Sequence, residues 1–162
     1  MPDVLIGAVG YSFQGDLSAA HIVMAKLREQ TWPPDVSFED LSVGPIAIVH
    51  SFRAQALPYQ RVVLVAAVPA DDAPGTVRTY RWSGNLPKAE EIQARIGEAV
   101  MGVVSLENLL VIGEHFKIWP DDVRVVEIEP GPTTWGAEHS AVITNALETL
   151  AQRVREAALD GN

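Results

Sequence analysis

Arg61–Val68, RVVLVAAV, is an unbroken aliphatic run, rich in β-branched residues and closed by Pro69. It is too short for a typical helix, and β-branched side chains favour the pleated strand. A strand with no polar alternation is buried on both faces, as in the centre of a parallel sheet. Val4–Val9 (VLIGAV) and Val123–Ile128 (VRVVEI) have the same character, and Val36–Val43 (VSFEDLSV) reads as the second strand. Thr76–Trp82 (TVRTYRW) differs. Its apolar and polar residues alternate, the mark of a half-exposed strand at a sheet edge.

Helical patterns separate these strands. Leu17 to Gln30 carries Ala20, Val23, Met24 and Leu27 on one face and ends at Trp32-Pro33-Pro34. Gly44-Pro45 opens a helix to about Ala56, closed by Pro58. Lys88 to about Met101 and Ser105 to Phe116 are the third and fourth. Ser140 to Leu159 is the last, with Ile143, Ala146, Leu147, Leu150, Val154 and Ala158 facing the core. Strands alternating with helices define the α/β class. The expected fold is a three-layer α/β/α sandwich around a five-stranded, mostly parallel sheet. Its strands fall near 4–9, 36–42, 61–68, 76–82 and 123–129, the fourth antiparallel at an edge. Residues 1–162 read as a single domain, without repeat, low-complexity tract or linker.

Composition narrows the function. The chain has 162 residues, 12 Lys+Arg against 21 Asp+Glu, and a formal charge of −9. Such a balance argues against nucleic-acid binding and against a polybasic membrane surface. Cysteine is absent, which removes disulfides, thiolate ligands and Cys nucleophiles. No apolar run is long enough to span a bilayer, and no basic segment precedes the first strand. A soluble cytoplasmic protein is expected, with no membrane insertion.

In open parallel sheets ligands bind at the C-terminal strand ends, here the loops after the first and third strands. Gly7, Gly10 and Gly15 lie in the first, but their spacing is neither G-x-G-x-x-G nor a P-loop. They read as glycines of a tight strand-to-helix turn. Asp16 or Ser18 is expected to cap the helix that follows, a role worth about 1 kcal/mol for Asp16. His21, His50, His115 and His139 form no H-x-x-x-H pair, so a zincin site is excluded. His21 and His50 read as surface or packing residues, and His115 as a cation at a helix C-terminus. No G-x-S-x-G elbow supports Ser-His-Asp chemistry. Asp71-Asp72 follow the third strand and remain candidates, whereas Asp121-Asp122 read as a solvated turn. Trp32, Trp82, Trp119 and Trp135 all lie at element ends, as packing at the core rim or as an aromatic interaction surface.

In order, these features resemble the NiFe-hydrogenase maturation endopeptidases. Val4–Ser18 (VLIGAVGYSFQGDLS) is similar to their opening strand and acidic loop. Arg61–Val68, followed by Pro74-Gly75-Thr76-Val77, resembles their third strand and the entry to the edge strand. Ser105-Leu106-Glu107-Asn108-Leu109-Leu110 and Trp119-Pro120 resemble the next helix and turn. Val125–Pro130 (VVEIEP), Trp135-Gly136 and Ser140-Ala141-Val142 resemble the closing strand and the start of the last helix. The resemblance implies a metal-guided peptidase fold, nickel as the metal and a hydrogenase large subunit as partner. It also implies three ligand positions: an acid in the first loop, an Asp ending the third strand and a His before the next helix.

Those positions match Leu17, Ala66 and about Gly102 here. None offers a lone pair from its side chain, and a divalent cation needs oxygen, nitrogen or sulfur ligands. Tyr11 stands where the family has an Asn, and Ser18 where it has a Gly. No bound metal or cofactor is therefore expected. The leading expectation is a protease-like pseudoenzyme that binds the large subunit without metal-guided cleavage. The alternative is an active processing endopeptidase with a relocated constellation: Asp16, Asp71 or Asp72, with Glu114 or His115. Asp71 is five residues past Ala66, an extended reach of ~16 Å, so that alternative needs a loop that folds back. An unrelated small-molecule binding role is the third reading.

Overall fold

The computed structural model describes residues 3–55 and 59–161. Strands β1 (Val4–Val9), β2 (Val36–Asp40), β3 (Arg61–Ala67), β4 (Val77–Arg81) and β5 (Asp122–Ile128) form one sheet in the order β2-β1-β3-β5-β4. Every pairing is parallel except that of β4 with β5, where Val77 faces Ile128 and Arg81 faces Arg124. The expected antiparallel edge strand is thus found, and 61–68 is central. Strand β2 stops at Asp40, because the Asp40 carboxylate accepts from Ser42 N–H at 2.9 Å and turns the chain.

The helices are α1 (Ala19–Arg28), α2 (Pro45–Arg53), α3 (Ala89–Val100), α4 (Leu106–His115) and α5 (Ala141–Leu159). A 3-10 turn, Gly15–Ser18, takes Leu17 and Ser18, where the expected first helix begins, and α1 starts at Ala19. The expected end of α2 at Ala56 and Pro58 lies outside the described residues. One apolar layer joins Ile6, Ala8, Val63, Val65, Val126 and Ile128 to α1 and α5. The other joins Leu5, Val62, Leu64, Val123 and Val125 to α2 and α4. Successive residues of β3 feed opposite layers, which is why its sequence shows no polar alternation. Val65 has no solvent exposure. Val65→Ala is expected to cost on the order of 1–3 kcal/mol by urea denaturation, from lost burial and a residual cavity. A loss below about 0.5 kcal/mol would contradict its central place.

Asp122 corrects the solvated-turn reading. Its carboxylate accepts from Arg61 Nε at 2.7 Å and from Arg124 Nε at 2.9 Å. Partial burial works against its charge, but the hydrogen bonds and charges of Arg124 and Arg61 outweigh it and hold the carboxyl below its usual range. The same guanidiniums donate to the carbonyls of Ala157, Ala158 and Asp160, so two cations meet the negative end of the α5 dipole. The polar pair at the start of β5 thereby fastens the last helix to the sheet.

Candidate functional site

The C-terminal ends of β1 and β3 open onto a cavity of about 290 Å³. Leu17 and Ala66 both line it, with Val9, Val68, Val104 and Leu106. Its floor is the sheet, and its far wall is the start of α4. Tyr11 closes one side, its hydroxyl accepting from Val104 N–H at 2.8 Å. Gly10 is required here by proximity: a Cβ would come 2.5 Å from the Leu17 carbonyl oxygen.

Few polar groups reach this space. The Tyr11 hydroxyl is engaged with Val104, and Ser105 Oγ accepts from Asn108 N–H to cap α4. Glu107 is exposed at the rim, 3.8 Å from Arg95. The α3–α4 turn carrying Gly102 comes to the same mouth, but Gly102 itself is exposed, with φ of +89°. One rim carboxylate among aliphatic walls does not make the donor set of a divalent cation, so the residues present do not fit nickel. Among the described residues, no three His, Asp or Glu side chains group to hold an ion.

The proposed substitutes are dispersed. Asp16 is fully buried, and it caps neither the 3-10 turn nor α1. Its Oδ2 accepts from Gly131 N–H at 2.7 Å and from Ser140 Oγ at 2.8 Å, while Oδ1 accepts from Ser140 N–H at 2.6 Å. This corrects the capping expectation. Ser18 does not cap either, since its hydroxyl donates to the Gly15 carbonyl. Asp71 and Asp72 are exposed on the β3–β4 loop, and the Asp72 carboxylate is held by Arg78 at 2.9 Å. Glu114 accepts from Trp82 Nε1, and His115 packs edge-on against Phe116. Both end α4, roughly 15 Å along its axis from the mouth where that helix begins.

A second polar group beside the mouth escaped sequence reasoning. His21 Nε2 lies 3.2 Å from Asp40 Oδ1 and 3.3 Å from Ser42 Oγ, and Ser42 Oγ accepts from Gly10 N–H. Partial burial opposes the Asp40 charge, but hydrogen bonds from Ser42 and His21 prevail and keep its carboxyl below the usual range. The residue types are those of a hydrolytic triad, yet Asp and Ser meet the same ring nitrogen. A relay needs them on opposite nitrogens. This group braces the loop after β1 and activates no nucleophile.

At this end of the sheet the loops expose apolar side chains. Phe13 is 74% exposed, Met101 83% and Trp135 73%, with Val43 and Val100 equally open. Phe13 holds φ of +62°, in the left-handed region that non-glycine residues avoid. Gly136 N–H donates to its carbonyl at 2.6 Å, and Gly15 N–H to Ala137 O at 2.9 Å, so the two aromatic-bearing loops are stitched together. Buried Asp16 ties the same loops from beneath. The remaining tryptophans pack: Trp32, Trp82 and Trp119 are partly buried, each with its indole N–H bonded.

The strand order, the antiparallel edge and this cavity over β1 and β3 together decide the architecture. The fold is that of the hydrogenase maturation proteases. The hydrogenase maturating endopeptidase HybD from E. coli superposes with a TM-score of 0.71, over 95% of this chain and 90% of that one, at 15% identity. The hydrogenase 2 maturation peptidase from Thaumarchaeota archaeon SCGC_AB-539-E09 gives 0.66, over 95% and 96%, at 21% identity. The [NiFe] hydrogenase maturation protease HycI from Thermococcus kodakarensis gives 0.61, over 97% and 92%, at 20% identity. No family model and no curated protein matches the sequence. Among the described residues, no helix is long and apolar enough to cross a membrane.

Proposed function

We propose that this protein acts in NiFe-hydrogenase maturation by binding the large subunit at the C-terminal mouth of the sheet, without metal-guided cleavage, in the cytoplasm. One observation carries the reading: an apolar cavity at the Leu17 and Ala66 positions, with Phe13, Met101 and Trp135 exposed on the loops at the same end of the sheet. Exposed aromatic and methionine side chains at the end of the sheet that holds an apolar recess are the composition of a protein-binding surface. A carboxylate pair there would hold an ion; leucine and alanine instead favour an apolar side chain of the partner. No resident metal is part of this function.

Purified large-subunit precursor, with its C-terminal extension intact, is the test ligand. Binding by the unaltered protein is expected to fall about 30-fold for Trp135→Asp, and similarly for Met101→Asp, as loss of a hot-spot residue implies. Mass spectrometry of the precursor after incubation with nickel is expected to find the extension uncut. Equal binding by both variants would reject the docking surface. Removal of the extension would instead favour the relocated endopeptidase.

A further inference from the structure

Strand β4 ends the sheet, and its outer edge is open. In an antiparallel ladder the backbone groups of successive residues point alternately toward and away from the neighbour. Trp82 N–H bonds to Val123 O, and Glu129 N–H bonds to Thr76 O. The even-numbered residues between them therefore face β5, and the N–H and C=O groups of Val77, Thr79 and Arg81 face outward. Thr79 and Arg81 are exposed.

The side chains of these same three residues point to the α5 face, where α5 runs alongside β4 and packs against Val77. Two adjoining hollows run there between β4 and α5, about 530 Å³ beside Gly75 and Val77 and about 360 Å³ beside Thr79 and Arg81. Arg153 lines both. The first is walled by Val142 and Ala146, and the second is basic. Arg153 has no hydrogen-bond or ion-pair partner among the described residues, and Arg81 reaches Asp122 only at 3.7 Å. Arg124 stands behind them, so three guanidiniums line this hollow against two carboxylates, Glu156 and Asp160. The Glu156 carboxylate already accepts from Gln152. This strip is cationic in a chain of formal charge −9.

We propose that β4 accepts an extended acidic segment of a partner protein as a sixth strand. Main-chain hydrogen bonds would run to Val77, Thr79 and Arg81. Alternate side chains would fall into the α5 groove, an apolar one near Val77 and a carboxylate between Arg81 and Arg153. Strand addition of this kind takes affinity from the backbone and selectivity from alternate pockets. Arg81 and Arg153 repel basic segments, which guards an otherwise adhesive edge. The charge of −9 likewise opposes a second copy of this chain. The proposal stands apart from docking at the mouth, since neither the residues nor the test overlap.

The probe is a fluorescent peptide, acetyl-VTETET-amide, whose valine and two glutamates share one face, compared with its VTKTKT counterpart. The acidic peptide is expected to bind at least tenfold more tightly at low salt. At saturation it should slow amide exchange of Val77, Thr79 and Arg81 at least tenfold. R81E together with R153E should invert the preference. Thr79→Pro should abolish binding of both peptides, because it removes one outward donor at an edge where proline is tolerated; circular dichroism checks that it folds. Equal binding of the two peptides, or binding without protection of those three amides, overturns the proposal. So does protection without peptide in a protein that sediments as a dimer, since the edge then belongs to a second copy.

Discussion

Asp16→Ala is expected to destabilise the protein by about 3–5 kcal/mol, through loss of several hydrogen bonds to one buried carboxylate. The carboxylate is wholly buried and accepts three hydrogen bonds, each no longer than 2.8 Å. Hydrogen bonds to a charged acceptor contribute about 1.5–3 kcal/mol each, and the truncated site leaves two backbone N–H groups and the Ser140 O–H without an acceptor. Asp16→Asn should be nearly as damaging. All three incoming groups are donors, and an amide nitrogen at either oxygen position would face at least one of them. Thermal and urea denaturation of both variants measure this. A loss near 1 kcal/mol for alanine would restore the simple helix-capping role. The consequence for function is geometric. Asp16 joins the loop after β1 to Gly131 and to the Ser140 start of α5, so its loss should free Phe13 and Trp135 from one another. A folded Asp16→Ala protein at low temperature should therefore show faster amide exchange at Gly15, Gly136 and Ala137 than the unaltered chain.

The sheet was legible because its strands carry their own signals. Arg61–Val68 is apolar throughout since both its faces are covered, and Thr76–Trp82 mixes polar with apolar residues since it is the sheet edge, with Val77 reaching one apolar layer and Trp82 the other. Helix ends were less legible: the 3-10 turn at Gly15–Ser18 is fixed by contacts with the loop after β5, among them Asp16 N–H to Pro132 O. The same distance along the chain hid the role of Asp16. Its partners lie 115 and 124 residues away, and no local spacing reports a contact of that range. Asp122 was misread for a related reason. Asp-Asp after proline is a turn signal, but the guanidiniums that bury Asp122 come from β3 and from β5 itself. The apolar lining of the mouth was readable at Leu17 and Ala66 from the family resemblance. The exposed apolar side chains at that end were only partly so: Trp135 stood among four tryptophans open to either reading, and nothing local marks Met101 as exposed until its loop is placed.

Nickel and zinc titrations of the unaltered protein are expected to show no stoichiometric binding tighter than roughly micromolar, or about −8 kcal/mol. Leu17 and Ala66 share one cavity, and nothing at the mouth replaces the missing donors. Rebuilding the site tests the geometry from the other side. Leu17→Glu with Ala66→Asp puts two carboxylates into the cavity. Without metal their mutual repulsion and burial should lower stability, and nickel should restore it. A ligand at 100 times its Kd raises stability by about 2.7 kcal/mol, so a nickel-dependent rise in Tm is expected in the double variant and none in the parent. Adding Gly102→His should help less than a third ligand ordinarily would. Gly102 holds φ of +89°, and its side-chain direction meets no atom within 4 Å, so histidine there is strained and unsupported. Stoichiometric nickel binding by the parent, lost on Asp71→Ala or Asp72→Ala, would show that the β3–β4 loop folds back in solution and would return an active relocated site to first place. No response of the double variant to nickel would mean that Leu17 and Ala66 do not converge on one point, although they line one cavity.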